Sequence, residues 1–162
     1  MANLQKKEER NNSVKLLNEL ELLKILYLEI IIPKKVYEEL QILVDLEITT
    51  REQLAQDWIK IKDVQSEELV QKFQEELDRG EAEALALAIE IGADYLLIDE
   101  KAGRVVARNN QIKILGTIGV LLNGKKAGLV KSVKEKMDNL KKIGFWINKQ
   151  LYDDVIELEK KL

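Results

Sequence analysis

Three acids in this chain stand where a carboxylate can do more than solvate a surface: Glu39, Glu81 and Asp99. Asp99 directly follows the apolar run Tyr95-Leu-Leu-Ile, so a strand there would release its carboxylate at the strand's carboxyl end. Ligands bind at that edge in open parallel α/β sheets. Glu81 opens the Ala/Leu-rich stretch that runs to Ile91, where most neighbours are apolar and a carboxylate is partly desolvated. Glu39 lies three residues after Val36 and four before Leu43, at the margin of a helix's buried face, whereas Glu38 points more to solvent. Carboxylates brought together from three elements suit a hard dication such as Mg²⁺ or Mn²⁺, and phosphodiester hydrolysis is a chemistry such an ion serves.

Each acid also has a plainer role open to it. Asp99 is a preferred N-cap for a helix starting just beyond it. Asp78 and Glu81, three residues apart, have the spacing of a capping box. Glu39 is placed to pair with Lys35 one helical turn earlier.

Composition narrows the chemistry. With no His and no Cys, imidazole bases, thiolate nucleophiles, disulfides and nearly every zinc or haem site are excluded. Three Ser and three Thr leave little for hydroxyl chemistry, so the 29 carboxylates are the main reactive groups. The formal net charge of −3 hides an asymmetry: Lys101 to Lys142 holds eleven basic residues against only Glu135 and Asp138. Such a block is the footprint of a surface that meets phosphates, with Lys101, Arg104, Arg108, Lys125 and Lys126 as its candidate contacts. Solvated lysine faces on ordinary helices would give the same count.

The elements that must position these groups alternate between two periods. Ser13 to Tyr27 carries leucines at helical spacing, and Ile30 to Ile32, closed by Pro33, reads as a buried strand. Helices follow over Lys34 to Leu46 and Thr50 to Gln56, then an alternating strand from Trp58 to Ile61. Ser66 to Leu77 and Ala82 to Ile91 read as helices, Tyr95 to Ile98 as a strand, Lys101 to Arg108 as a helix and Ile112 to Leu115 as the last strand. Gly116 to Gly124, Lys131 to Ile143 and Asn148 to Lys161 complete the helices. The order predicts an α/β domain whose parallel sheet is flanked by helices. Residues 1–12 form a polar segment and 13–162 a single domain. No apolar run approaches the ~20 residues of a membrane span and the first ten residues do not resemble a signal peptide, so the expected location is cytoplasmic, with no membrane partner.

Three segments together resemble the PIN-domain superfamily, in a prokaryotic branch close to VapC-type toxin ribonucleases. They are Ile30-Ile-Ile-Pro-Lys-Lys-Val-Tyr-Glu-Glu-Leu, Asp78-Arg-Gly-Glu-Ala-Glu-Ala-Leu-Ala-Leu-Ala and Leu96-Leu-Ile-Asp-Glu-Lys-Ala-Gly-Arg-Val-Val-Ala. Gly116-Thr-Ile-Gly-Val-Leu-Leu and Gly128-Leu-Val also look like that branch. The resemblance implies a Rossmann-like (PIN-like) sheet presenting acids to Mg²⁺ or Mn²⁺, with water attacking a phosphodiester of RNA. Glu39, Glu81 and Asp99 match the metal-binding and catalytic acids, with Glu83 and Glu100 as nearby additional acids. Such proteins open with an apolar strand followed by Asp-x-Ser, whereas this chain reads Glu8-Glu-Arg-Asn-Asn-Ser, with Asn11 in the Asp position. The first, central strand is therefore expected to be absent or altered, and cleavage to be impaired.

The resemblance thus implies a toxin-type, Mg/Mn-dependent ribonuclease weakened at one ligand, with RNA and an antitoxin protein as partners. The alternative is a non-catalytic relative that binds RNA or protein, or an assembly module. Homo-oligomerisation is expected from the helix of Leu16 to Leu26, left without a preceding strand, and from the consecutive Phe145, Trp146 and Ile147.

Overall fold

The computed structural model of the chain describes residues 20–45 and 51–162. The polar segment 1–12 with Asn11, the altered first strand expected there, and the start of the first predicted helix with Leu16 and Leu17 lie outside the described residues. In chain order the elements are α1 (Leu20–Leu26), β1 (Ile30–Pro33), α2 (Lys34–Asp45), α3 (Arg51–Leu54), β2 (Ile59–Lys62), α4 (Glu67–Gln74) and α5 (Arg79–Ile91). β3 (Leu96–Leu97), α6 (Lys101–Asn109), β4 (Ile114–Leu115), α7 (Thr117–Lys126), α8 (Val133–Lys142) and α9 (Lys149–Glu159) follow. Among the described residues no helix is long and apolar enough to cross a membrane.

The described residues fall into two compact units, one spanning 28–116 and the other joining the stretch up to Tyr27 to residues 117–162. All four strands among the described residues belong to the first unit. β1 and β2 pair in parallel, with Ile30 opposite Ile59 and Ile32 opposite Ile61. β3 and β4 also pair in parallel, Leu96 opposite Ile114 and Leu97 opposite Leu115. Parallel neighbours need a crossover, supplied here by α2 and α3 for the first pair and α6 for the second. The mixed α/β fold with parallel strands agrees with the sequence pattern, but the described strands form two separate two-stranded ladders. β3 and β4 are only two residues each, too short to carry a continuous sheet.

Helix α5 organises this unit. Its small and branched residues Ala82, Leu85 and Ala86 are fully buried against Val70 and Phe73 of α4, Leu96 of β3, and Val106 and Ala107 of α6. Asp78 caps it, accepting from the Glu81 N–H at 2.8 Å, and Gly92 closes it at φ 60°, a left-handed conformation that glycine adopts without strain. Two of its glutamates also secure other helices. The Lys35 N–H in the first turn of α2 donates to Glu83 Oε2 at 3.2 Å. The Ser66 and Gln65 N–H groups at the start of α4 donate to Glu90 Oε1 at 2.7 and 3.0 Å.

The second unit has its own core of Leu121, Val133, Met137 and Leu140, joined by Phe145, Ile147 and Val155. The consecutive apolar residues near its end therefore split: Phe145 and Ile147 turn inward while Trp146 is 80% exposed. Here too a distant glutamate holds a helix start. Val133 and Lys134 N–H donate to the Glu159 carboxylate at 2.7 and 3.1 Å.

Candidate functional site

The three nominated acids all lie in the unit spanning 28–116, each against a glycine. On α2, Glu39 reaches across to the first turn of α5: a methyl group added at Gly80 would stand 2.9 Å from Glu39 Oε1 and 3.1 Å from Oε2. Lys35 pairs with Glu38 at 4.0 Å, leaving Glu39 to the site side of the helix. On α5, Glu81 leans toward the first turn of α6, its Oε1 3.3 Å from the place a methyl at Gly103 would take. Asp99, between β3 and α6, sets its Oδ1 2.9 Å from the corresponding point at Gly116, just beyond β4. The N-cap position of α6 belongs to Glu100, not Asp99, and the Glu100 side chain makes no capping bond there.

Glu81 is the electrostatic centre of the group. Asp78 and Glu81 form the capping arrangement that their spacing allows, but this leaves Glu81 Oε1 buried with no hydrogen-bond partner. Burial pushes the carboxyl up to about 7, and the neighbouring charges of Asp78, Glu100 and Glu39 add to the rise; a backbone hydrogen bond at Asp78 opposes it. A buried carboxylate oxygen with no donor is costly unless a proton or a cation meets it. Glu81 thus lies within reach of the fields of both Glu39 and Glu100. Asp99 immediately precedes Glu100 in sequence, and Arg104 Nη1 lies 3.4 Å from the same point at Gly116 that Asp99 Oδ1 approaches. Among the described residues, no three acids close on one point as a finished metal cage.

Glu83, the other acid of that turn, serves a different purpose. It is buried, 2.9 Å from Arg79 Nε, with its second oxygen taken by Lys35 N–H. Among the nominated basic residues, Lys101, Arg104 and Arg108 recur at three- and four-residue spacing along α6, opposite its buried Gly103, Val106 and Ala107. Lys125 belongs to the other unit, where its Nζ donates to the Lys131 carbonyl at 2.6 Å and lies 3.6 Å from Glu159. Lys126 in that unit is exposed. The glycines under the carboxylates were not singled out from the sequence. For Gly103 a signal was present, because it interrupts the helical stretch Lys101 to Arg108 where alanine is preferred, whereas Gly80 falls between two predicted helices.

A family model described as a PIN domain matches residues 13–161. The chain belongs to the PIN-domain family. No curated protein and no solved structure gives a significant match. PIN domains have a nuclease-like, nucleic-acid-binding α/β fold and are typically dependent on divalent metals. In this PIN domain the donor set suits such an ion chemically: hard carboxylate oxygens, no His or Cys in the sequence, and one buried oxygen on Glu81 without a hydrogen-bond partner.

Proposed function

We propose that this PIN domain is a toxin-type ribonuclease in which Glu39, Glu81 and Asp99 hold Mg²⁺ or Mn²⁺, with an antitoxin protein as its partner. The observation that carries the reading is the unpartnered, buried Oε1 of Glu81 among the charges of Asp78, Glu100 and Glu39. A bound Mg²⁺ or Mn²⁺ would supply Lewis-acid polarisation and a water of lowered pKa. The chain's residues do the rest. Glu39, Glu81 and Asp99 concentrate negative charge where the cation is needed. Arg104, beside Asp99, is placed to draw a phosphate toward that edge, and Lys101 and Arg108 extend the same helix face along a nucleic-acid backbone. Asn11 in place of an aspartate offers a neutral, weaker ligand, so turnover is slow and binding outlasts cleavage.

A second reading, a relative that binds RNA or protein without cutting, is favoured by the lack of a closed three-acid cluster among the described residues. The two separate in one experiment on the purified chain with single-stranded RNA and Mn²⁺. We expect salt-sensitive binding and slow cleavage, with cleavage falling by about 100-fold in Asp99→Asn, the scale of losing part of a Lewis-acid site. Binding with no metal-dependent cleavage would establish the second reading. Neither binding nor cleavage would overturn the ribonuclease and the RNA-binding form of the second reading alike.

A further inference from the structure

We propose that Gly80 and Gly116 are positioning residues of the metal site, kept as glycine so that the carboxylates of Glu39 and Asp99 can occupy the space a side chain would fill. The inference rests on the metal-binding reading above and assigns residues that reading does not use. The chain's glycines separate by cause. Gly92 and Gly128 have φ +60° and +73° with nothing within 4 Å of an added methyl, so their backbone conformation explains them. Gly124 faces Leu22 and Val130, whose atoms an added methyl would meet at 2.8 and 2.7 Å, so helix packing explains it.

Neither cause applies to Gly80 or Gly116. Neither has positive φ, and Gly80 lies inside a helix, where alanine is the more stable choice. At both, the nearest atom to an added methyl is a carboxylate oxygen at 2.9 Å, from Glu39 in one case and Asp99 in the other. Gly103 shares the pattern through Glu81 Oε1 at 3.3 Å, but the Ile98 side chain crowds it more closely, so packing and seating are mixed there. A methyl at 80 or 116 would meet the flexible end of an acid, not fixed backbone. The fold would absorb it by moving the carboxylate, and groups that orient a metal ligand typically matter by 10–100-fold in affinity.

The test is Mn²⁺ titration of the full chain, read by electron paramagnetic resonance, alongside thermal unfolding without metal. For Gly80→Ala and Gly116→Ala we expect Mn²⁺ affinity at least about tenfold weaker with the unfolding midpoint unchanged or raised. Gly92→Ala should give the opposite signature, a lowered midpoint and unchanged affinity, because the strain there is in the backbone. If the parent chain binds Mn²⁺, and Asp99→Asn loses it, yet both alanine variants bind like the parent, the seating role is overturned and the metal site stands. A lowered midpoint in the two alanine variants would also overturn it, by making the glycines structural. If the parent binds no Mn²⁺, the metal reading falls and the seating role with it.

Discussion

At pH 8 a Glu81→Gln variant is expected to unfold about 5 °C above the parent chain, and at pH 4 at the same temperature. The carboxyl of Glu81 is raised in the folded protein from 4.5 to about 7, first by burial and then by the nearby acids. Between those values the folded chain holds a proton that the unfolded chain has released. Stability therefore falls as pH rises through this window, and the loss is complete above the folded value. The full shift would be worth more than 3 kcal/mol, and partial exposure with solvent screening reduces it to about 2 kcal/mol. Glutamine keeps the capping geometry with Asp78 while removing the charge that burial disfavours. Adding Mn²⁺ should reverse the ranking above pH 7, since an ion bound to the folded parent stabilises it by mass action and the variant has lost the ligand. Melts from pH 4 to 9, with and without Mn²⁺, check both parts. A constant difference between the two chains across that range would contradict the titration of Glu81.

Two residues along the same helix, removal of a carboxylate should have the contrary result. Glu83→Ala is expected to destabilise the chain by about 2 kcal/mol at neutral pH, read by urea unfolding. It strips Arg79 of its 2.9 Å partner and leaves the Lys35 N–H without its acceptor. Arg79 is half exposed and can rehydrate, which keeps the loss below that of a fully buried pair. Glu83→Gln keeps an acceptor for Lys35 and should lose only about 1 kcal/mol, with Mn²⁺ affinity unaltered. If Glu83→Gln weakened Mn²⁺ binding as much as Glu81→Gln does, Glu83 would have to be counted among the ligands.

These two neighbouring glutamates mark the boundary of what local sequence discloses. The three-residue spacing of Asp78 and Glu81 is a short-range signal, and the cap that it describes forms. The Arg79–Glu83 pair is likewise local, one helical turn apart. That the second oxygen of Glu83 is committed to α2, while Glu81 keeps an idle oxygen, depends on groups brought in by tertiary packing. The apolar character of Tyr95 to Ile98 and Ile112 to Leu115 located extended segments, but the number of residues that find a ladder partner is set by neighbours, and only two do in each. The helical margin position of Glu39 was visible from Val36 and Leu43, whereas its contact with Gly80 joins two helices far apart in sequence. Charge counting selected Lys125 without its direction, and its ammonium serves the Lys131 carbonyl and Glu159 of its own unit.

The glutamates at 83 and 90 stand two helical turns apart on α5, and each takes the leading amides of a different helix, α2 and α4. A helix start is ordinarily the place that frays, since its first N–H groups have no partner within the helix. The Ser66 hydroxyl caps α4 locally by accepting from the Leu69 N–H at 3.3 Å. But the amides of Lys35, Gln65 and Ser66 find their protein acceptors only when α5 has docked, so part of the order at the starts of α2 and α4 is a non-local event. The two starts are completed by the arrival of a third helix, which ties the folding of the unit to contacts distant along the chain. The amide protons of Lys35, Gln65 and Ser66 should accordingly exchange with solvent as one group, at the rate at which α5 leaves, rather than as three separate fraying ends.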